Sequence, residues 1–165
     1  MCEIMQNFDF ESTLNLPPDE LIDSAKNKGL PMSIIGMVVY GALRLFRKRP
    51  LNFENVCEYF VIGKNWGGLE LGWFFICGSQ AAWETKAHEV GHIVQNAGVG
   101  GLRTLGLSIC SACRYWKRKL FGAKTPYDSW WFEGQATELG LEYLFRKDNY
   151  WVYLKDNYWV QGNGK

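Results

Sequence analysis

The residues best suited to chemistry lie in one short stretch, ETKAHEVGHIVQNAG, which runs from Glu84 to Gly98. It contains His88 and His92, the only two histidines in the 165-residue sequence. Residues four apart share one face of an α-helix, so both imidazoles can bind a single metal ion. Glu89 then lies beside that ion, where its carboxylate can take a proton from a water molecule that the ion activates. The spacing therefore predicts a zinc-dependent hydrolase.

A third metal ligand must come from elsewhere in the chain. A catalytic zinc site usually has three protein ligands and one open position. Because no third histidine exists, the remaining ligand is a carboxylate or a cysteine. Glu138, Glu142 and Arg146 follow one another at four-residue spacing, which predicts a solvated, self-paired stripe. Six acidic residues follow the histidines: Asp128, Glu133, Glu138, Glu142, Asp148 and Asp156.

Small residues mark Glu133 as the preferred ligand, with Asp128 kept as an alternative. A carboxylate must come within about 2 Å of zinc, so the two helix backbones must approach closely. Gly91 permits this approach on the histidine helix, and an interior glycine costs about 1 kcal/mol, which indicates a packing reason. Three small residues follow Glu133 at i+3, i+4 and i+7: Ala136, Thr137 and Gly140.

The elements that would position these residues can be read from the hydrophobic pattern. Two runs rich in β-branched and aromatic residues, Cys57–Ile62 and Leu69–Cys77, flank a Gly-Gly pair and predict a hairpin or two neighbouring strands. Ser79 is expected to cap the histidine helix and Gly98 to end it. The other predicted helices span Leu16–Gly29, Pro31–Lys48, about Leu105 onward, and Ser129–Lys147. We expect an α+β fold in which a small sheet supports an active-site helix and a glutamate helix.

Length and composition indicate a single domain. Hydrophobic residues make up 47% of the chain and aromatic residues 16%, which argues against disorder. We expect a helical N-terminal extension over 1–50, a metallopeptidase core over 51–147 and an aromatic tail over 148–165, in which KDNYWV occurs twice. The formal net charge of +1 gives no overall attraction to nucleic acid or to acidic partners. The zinc-hydrolase motif makes a peptide or protein substrate the expected partner.

The expected location is the cytoplasm. Five cysteines give no disulfide framework, and the N-terminus MCEIMQNFDFE lacks the basic start of a signal peptide. The apolar run Leu30–Leu43 is shorter than the about 20 residues that a spanning helix needs, so it predicts a core helix, with membrane contact as the minor alternative. The basic clusters Arg44–Arg49 and Arg114–Lys119 are interpreted as solvated helix ends, although each could hold an acidic surface.

Three segments carry a resemblance to a known family: NWGGLELG, HEVGHIVQ and FEGQATELG. A histidine pair of this type with a later glutamate resembles the gluzincin branch of the zincin metallopeptidases. Together the segments resemble small bacterial proteins with a GWGG-x-x-LG strand, H-E-x-G-H-x-x-Q and E-x-x-A-x-x-x-G. The resemblance covers residues 65–140 and implies a zincin-like minimal metallopeptidase fold. It also implies Zn²⁺ bound by His88, His92 and Glu133, with Glu89 as general base and acid.

The same resemblance suggests further roles around the metal. In zincins the strand before the active-site helix pairs with the substrate backbone, a role that falls here on Leu69, Glu70, Leu71, Gly72 and Trp73. Tyr127 is the nearest candidate to stabilise the oxyanion, since no histidine remains. Gln95 is either a partner of a ligand or a polar helix end. Thr137 stands where many gluzincins carry an acidic residue that supports the ligand.

The sequence thus predicts a zinc metallopeptidase that hydrolyses peptide bonds. A non-catalytic zinc-stabilised module is one alternative, because a structural site would use the same ligands without Glu89. A membrane-associated interaction module is another. The oligomeric state is left open by the sequence.

Overall fold

The computed structural model describes residues 10–121 and 130–148, which form six helices and one four-stranded sheet. The helices are α1 (Glu11–Leu14), α2 (Pro18–Lys28), α3 (Leu30–Leu45), α4 (Trp83–Val99), α5 (Gly101–Phe121) and α6 (Trp131–Asp148). The strands are β1 (Leu51–Phe53), β2 (Cys57–Val61), β3 (Gly68–Glu70) and β4 (Phe74–Cys77). The expected α+β class is confirmed.

The sheet differs from the expected arrangement. Its order is β1-β2-β4-β3, in which β2 and β4 are parallel while the two outer pairs are antiparallel. Of the two arrangements expected for the runs Cys57–Ile62 and Leu69–Cys77, the hairpin is wrong and neighbouring strands are confirmed, because β2 pairs with β4. One continuous strand over Leu69–Cys77 is wrong. The chain turns at Gly72, whose φ of 93° suits glycine, and folds back as the β3–β4 hairpin. As a result β3 lies at an edge of the sheet.

The core forms around α4, which packs against α6, α2 and the sheet. Its apolar residues at helical spacing are fully buried: Ala87, Val90, Ile93, Val94 and Ala97. From α2, Leu21 and Ala25 enter the same core, and Phe75 of β4 stacks on Tyr59 with ring centroids 5.2 Å apart. Each fully buried valine, isoleucine or leucine stabilises the fold by about 1.5–3 kcal/mol, so this packing holds α4 firmly in place.

The ends of α4 correct two expectations. The helix begins at Trp83 without a side-chain cap, so Ser79 does not cap it. It ends at Val99, and Gly100, with φ 89°, takes the terminal position expected of Gly98. A Cβ on Gly98 would lie 2.7 Å from the ring of Phe10. Gly98 therefore lies inside the helix and makes room for this ring.

The other predicted helices shift at their ends. The helix expected from about Leu105 starts earlier, at Gly101, and the glutamate helix α6 starts at Trp131. On α6, Arg146 pairs with Glu142 at 2.6 Å, which confirms that part of the predicted stripe. Arg146 also pairs with Glu11 of α1 at 2.7 Å, a contact that the stripe did not include. Tyr127, Asp128 and the tail from residue 149 lie outside the described residues.

The apolar helix α3 is not the core helix that its sequence predicts. Only three of its residues are buried: Met32, Ser33 and Gly36. The rest of its surface is half-buried or exposed, including most of its large aliphatic side chains. Among the helices of the described ranges, none combines the length and hydropathy that crossing a bilayer requires.

Candidate metal centre

The candidate site forms where α4 crosses α6 at very short range. A Cβ built on Gly91 would lie 1.7 Å from the carbonyl oxygen of Ala136, and one on Gly140 would lie 1.9 Å from that of Ala87. No side chain fits at either point, so the two backbones are in direct contact. The close approach anticipated from the small residues is present, and it turns Glu133 toward the histidines.

Three potential ligand atoms meet at this crossing. Glu133 Oε2 lies 3.1 Å from His88 Nε2 and 3.4 Å from His92 Nε2, and the two Nε2 atoms are 3.1 Å apart. Glu133 is 1% exposed, whereas the imidazoles keep 15% and 13% of their surface, so the cluster is in contact with solvent through the histidines. Among the described residues, these three form the group of metal-binding types whose atoms lie within 4.8 Å of one another.

A hydroxyl group on α6 sets the orientation of His88. Thr137 Oγ1 donates to the carbonyl oxygen of Glu133 at 3.2 Å, so it can accept a hydrogen bond from His88 Nδ1 at 2.8 Å. A neutral imidazole carries one N–H, so a proton on Nδ1 leaves a lone pair on Nε2. This lone pair is directed toward Glu133. Thr137 thus orients a candidate ligand through its hydroxyl.

The amide of Gln95 does the same for the second histidine. Its Nε2 donates to the carbonyl of Phe132 at 3.0 Å and to Gln135 Oε1 at 3.1 Å. Its Oε1 therefore accepts from His92 Nδ1, 2.8 Å away, which again leaves a lone pair on Nε2. Gln95 is fully buried and in contact with His92, so it is not a polar helix end.

The carboxylate of Glu133 is held from its other side by Ser111. This serine lies on α5 and donates to Glu133 Oε1, which leaves Oε2 for the imidazoles. Burial raises the pKa of Glu133, but when their Nε2 atoms carry protons both imidazoles donate to it, and with the hydrogen bond from Ser111 they hold its pKa well below the usual range. The carboxyl is therefore ionised. Sequence reasoning missed Ser111, since no spacing relates α5 to the histidines.

The electrostatics of the cluster favour a positive charge at its centre. Burial lowers the pKa of His92, but its hydrogen bond to Glu133 and the charges of nearby carboxylates raise it to about 9. Those carboxylates belong to Glu133, Glu89 and Glu70. With both imidazoles neutral, two lone pairs and an anionic oxygen lie so close together that a cation must separate them. A proton, which the raised pKa of His92 reflects, or a divalent metal ion can supply that charge.

Glu89 lies next to the cluster without being part of it. A Cβ on Gly68 would lie 2.5 Å from Glu89 Oε1, so the missing side chain at the start of β3 makes room for this carboxylate. Burial raises the pKa of Glu89 to about 7, although the charges of His92 and His88 act in the opposite direction. A carboxyl with this pKa can both accept and release a proton near neutrality. The role of Gly68 was not foreseen.

The residues expected on the substrate strand divide into two groups. Only Leu69 and Glu70 belong to β3, while the other three, Leu71, Gly72 and Trp73, form the turn. Leu69 is exposed, but Glu70 is buried, and its Oε1 accepts from the backbone N–H of Gly72 and from Asn96 Nδ2 at 2.8 Å. Burial raises the pKa of Glu70 to about 7 against these contacts. Glu70 therefore holds the turn, and the assignment of one substrate strand to all five residues is wrong.

Comparison with protein-family models, with curated proteins and with solved structures finds no match. The function of the protein is therefore to be sought in its own residues and their geometry. Tyr127, the expected oxyanion donor, lies outside the described residues.

Proposed function

We propose that the protein is a zinc-dependent metallopeptidase with a zincin-like, gluzincin-type site that hydrolyses peptide bonds with water. The observation that carries this proposal is the convergence of His88, His92 and Glu133 at one point. Glu89 lies beside this point, close enough for its charge to act on both imidazoles. Its position supports a catalytic role for the cluster, because a purely structural ion has no need of a neighbouring base.

The ligand set fits zinc. Two imidazole nitrogens with free lone pairs and one carboxylate oxygen make three protein ligands, the usual number for a catalytic zinc with one open position. Both imidazoles are oriented through their other nitrogen, as metal-binding histidines generally are. When bound, zinc polarises the substrate carbonyl and makes water acidic.

The remaining work falls to the protein. Glu89 takes the proton of the attacking water and delivers it to the nitrogen of the leaving amine, as general base and then general acid. Its carboxylate is held against Gly68 of β3, so proton transfer takes place directly beside the strand edge. The outer edge of β3, which pairs with no further strand among the described residues, can bind a peptide by main-chain hydrogen bonds, which does not require a particular sequence. Tyr127 remains our candidate for the oxyanion donor.

Glu89→Gln tests the catalytic role of this residue. The variant keeps the side-chain volume and removes the base, so we expect normal zinc content and about 10²–10⁴-fold slower hydrolysis of a peptide library. Glu138→Gln on exposed α6 surface is the matched control, with unchanged rates. Equal activity of wild type and Glu89→Gln would contradict the mechanism and leave the non-catalytic zinc module as the better interpretation.

The ligand assignment is tested by metal analysis. We expect one zinc per chain in the wild type and in Glu138→Ala, but little zinc in Glu133→Ala, because the latter removes one of three ligands. Stoichiometric zinc in Glu133→Ala would show that the third ligand is another residue. If the wild type contains a different divalent ion, the assignment of zinc would be wrong, whereas the three assigned ligands would still hold.

A further inference from the structure

The exposed side of α3 is apolar along its whole length. Val38 is 71% exposed and Leu45 is 81% exposed. Leu30, Ile34, Val38 and Leu45 recur at intervals that bring them to one side of the helix, with Gly41 between them. We call the following residues the α3 surface: Leu30, Ile34, Met37, Val38, Leu45 and Phe46. Large contiguous apolar surfaces of this kind generally mark binding sites.

The opposite side of α3 is fixed to the protein, so the helix cannot rotate to bury this surface. A Cβ on Gly36 would lie 2.2 Å from the carbonyl oxygen of Leu71, in the turn between β3 and β4. Gly72 of the same turn approaches Ser33, where a Cβ on the glycine would lie 3.1 Å from the serine Cα. The backbones are thus in contact at two points. The exposure of the apolar side follows from this attachment.

A cluster of cations follows the apolar surface at the C-terminal end of α3. Arg44, Arg47, Lys48 and Arg49 are all exposed. None of the four forms an ion pair with an acidic side chain of the described residues. The sequence also contains no aspartate or glutamate from residue 24 to residue 53. The cations are therefore available to an anionic partner.

We propose that the α3 surface binds an anionic lipid bilayer, with α3 lying in the plane of the interface. An apolar layer beneath negatively charged headgroups matches an apolar helix side that ends in cations with no ion-pair partner among the described residues. With 16 residues, α3 is about 24 Å long, which is short for a spanning helix and sufficient for an interfacial one. The binding is peripheral and leaves the rest of the fold in water.

Vesicle co-sedimentation of the full chain tests this proposal. We expect binding to phosphatidylcholine vesicles that contain phosphatidylglycerol, about tenfold or more weaker binding to phosphatidylcholine alone, and release by high salt. Val38→Glu, which introduces a charge into the apolar surface, should weaken binding about tenfold or more. Lys48→Gln with Arg49→Gln should weaken binding to anionic vesicles about fivefold per charge.

Two control variants separate a local effect from a general change of charge. Leu51→Glu alters an exposed leucine of β1, and Lys26→Gln with Lys28→Gln neutralises two exposed lysines of α2. Both should bind vesicles like the wild type. Circular dichroism and zinc content should be the same in all variants, so a loss of binding cannot be attributed to unfolding.

Three results would overturn the proposal. One is a wild-type protein that binds neither kind of vesicle. Another is an equal loss of binding in Val38→Glu and Leu51→Glu. The third is a dimer in light scattering that Val38→Glu converts to a monomer, because the α3 surface would then be covered by a second copy of the chain.

Discussion

The helices α4 and α3 both contain interior glycines, yet α4 is the most enclosed helix of the described fold, whereas α3, which has the longer apolar run, faces outward. A Cβ built on Gly91 of α4 would lie 1.7 Å from the backbone of α6. A Cβ built on Gly41 of α3 would have no atom within 4 Å beyond the backbone of its own helix. The same residue type thus sets the distance between two helices in one region and leaves open space in the other. Packing partners determine what a helical glycine contributes, and local sequence does not identify those partners.

The largest loss of stability is expected from a change at the crossing of α4 and α6. Gly91→Ala places a methyl group against the carbonyl oxygen of Ala136, and a backbone cannot yield as a flexible side chain does. We expect the free energy of unfolding to fall by about 3 kcal/mol or more and zinc binding to be lost. Urea unfolding and metal analysis measure these two effects. Gly106→Ala of α5 is the control, because a Cβ on Gly106 would have no atom within 4 Å beyond the backbone of its own helix. Equal stability of the two variants would mean that the crossing is not tight.

Glu70→Gln tests the polar contact between α4 and the turn to which α3 is attached. The pKa of Glu70 is about 7 in the folded protein against an ordinary 4.5, so the folded state binds this proton more tightly than the unfolded state. Its contribution to stability is complete below pH 4.5 and is lost as the pH rises through about 7. The glutamine can still accept both hydrogen bonds and does not titrate.

We therefore compare the unfolding free energy of Glu70→Gln with that of the metal-free wild type. The difference should grow in favour of the variant by about 2 kcal/mol as the pH rises from about 5 to about 8. Urea titrations of both proteins across this range give the difference directly. A difference that is constant with pH would show that Glu70 is already ionised in the folded protein.

Thr137→Val removes the hydroxyl that orients His88 and keeps the shape of the side chain. We expect zinc affinity to fall about 10-fold to 100-fold, as is usual when a partner of a metal-binding histidine is lost. Competition with a zinc chelator measures the change, while unfolding of the metal-free protein should change little. Thr137→Ser retains the hydroxyl and should restore wild-type affinity. If both variants bind zinc equally weakly, the methyl group and not the hydroxyl supports the site.

The smallest effect is expected in the open region. Gly41→Ala adds a methyl group where no atom lies within 4 Å, so only the helix propensity changes. We expect a gain of about 0.5–1 kcal/mol in unfolding free energy, measured by urea titration. A loss of stability would indicate that a further part of the chain covers Gly41, and the contrast with Gly91 would then disappear.

The parts of the candidate site that the sequence predicted are those that depend on helical periodicity. Residues four apart share a helix face, so the approach of His88 to His92 followed from spacing alone. The small residues after Glu133 indicated a close crossing, because a metal ligand on one helix requires the other backbone nearby. The first inference uses geometry within a single helix, whereas the second relates small residues on two helices through the ligands that they would share.

The parts that were missed depend on contacts between distant elements. Ser111 and Gly68 reach the site from α5 and β3, and nothing in their local sequence relates them to the histidines. The break of the predicted strand at Gly72 reflects a turn held by the buried carboxylate of Glu70, which a strand pattern does not reveal. The apolar pattern of α3 showed a hydrophobic helix but not which side of it other elements would cover.

Because Glu89 packs against Gly68, β3 fixes the point along a bound peptide at which this carboxylate would act. The carboxylate lies at one fixed position along the strand, next to a single Cα. The main-chain groups that an extended peptide turns toward one side repeat every two residues, so a peptide that keeps one side on this edge shifts in steps of two. Under the proposed function, the bond beside this Cα would be the one cleaved, and the peptide residues before and after it would point to opposite faces of the strand.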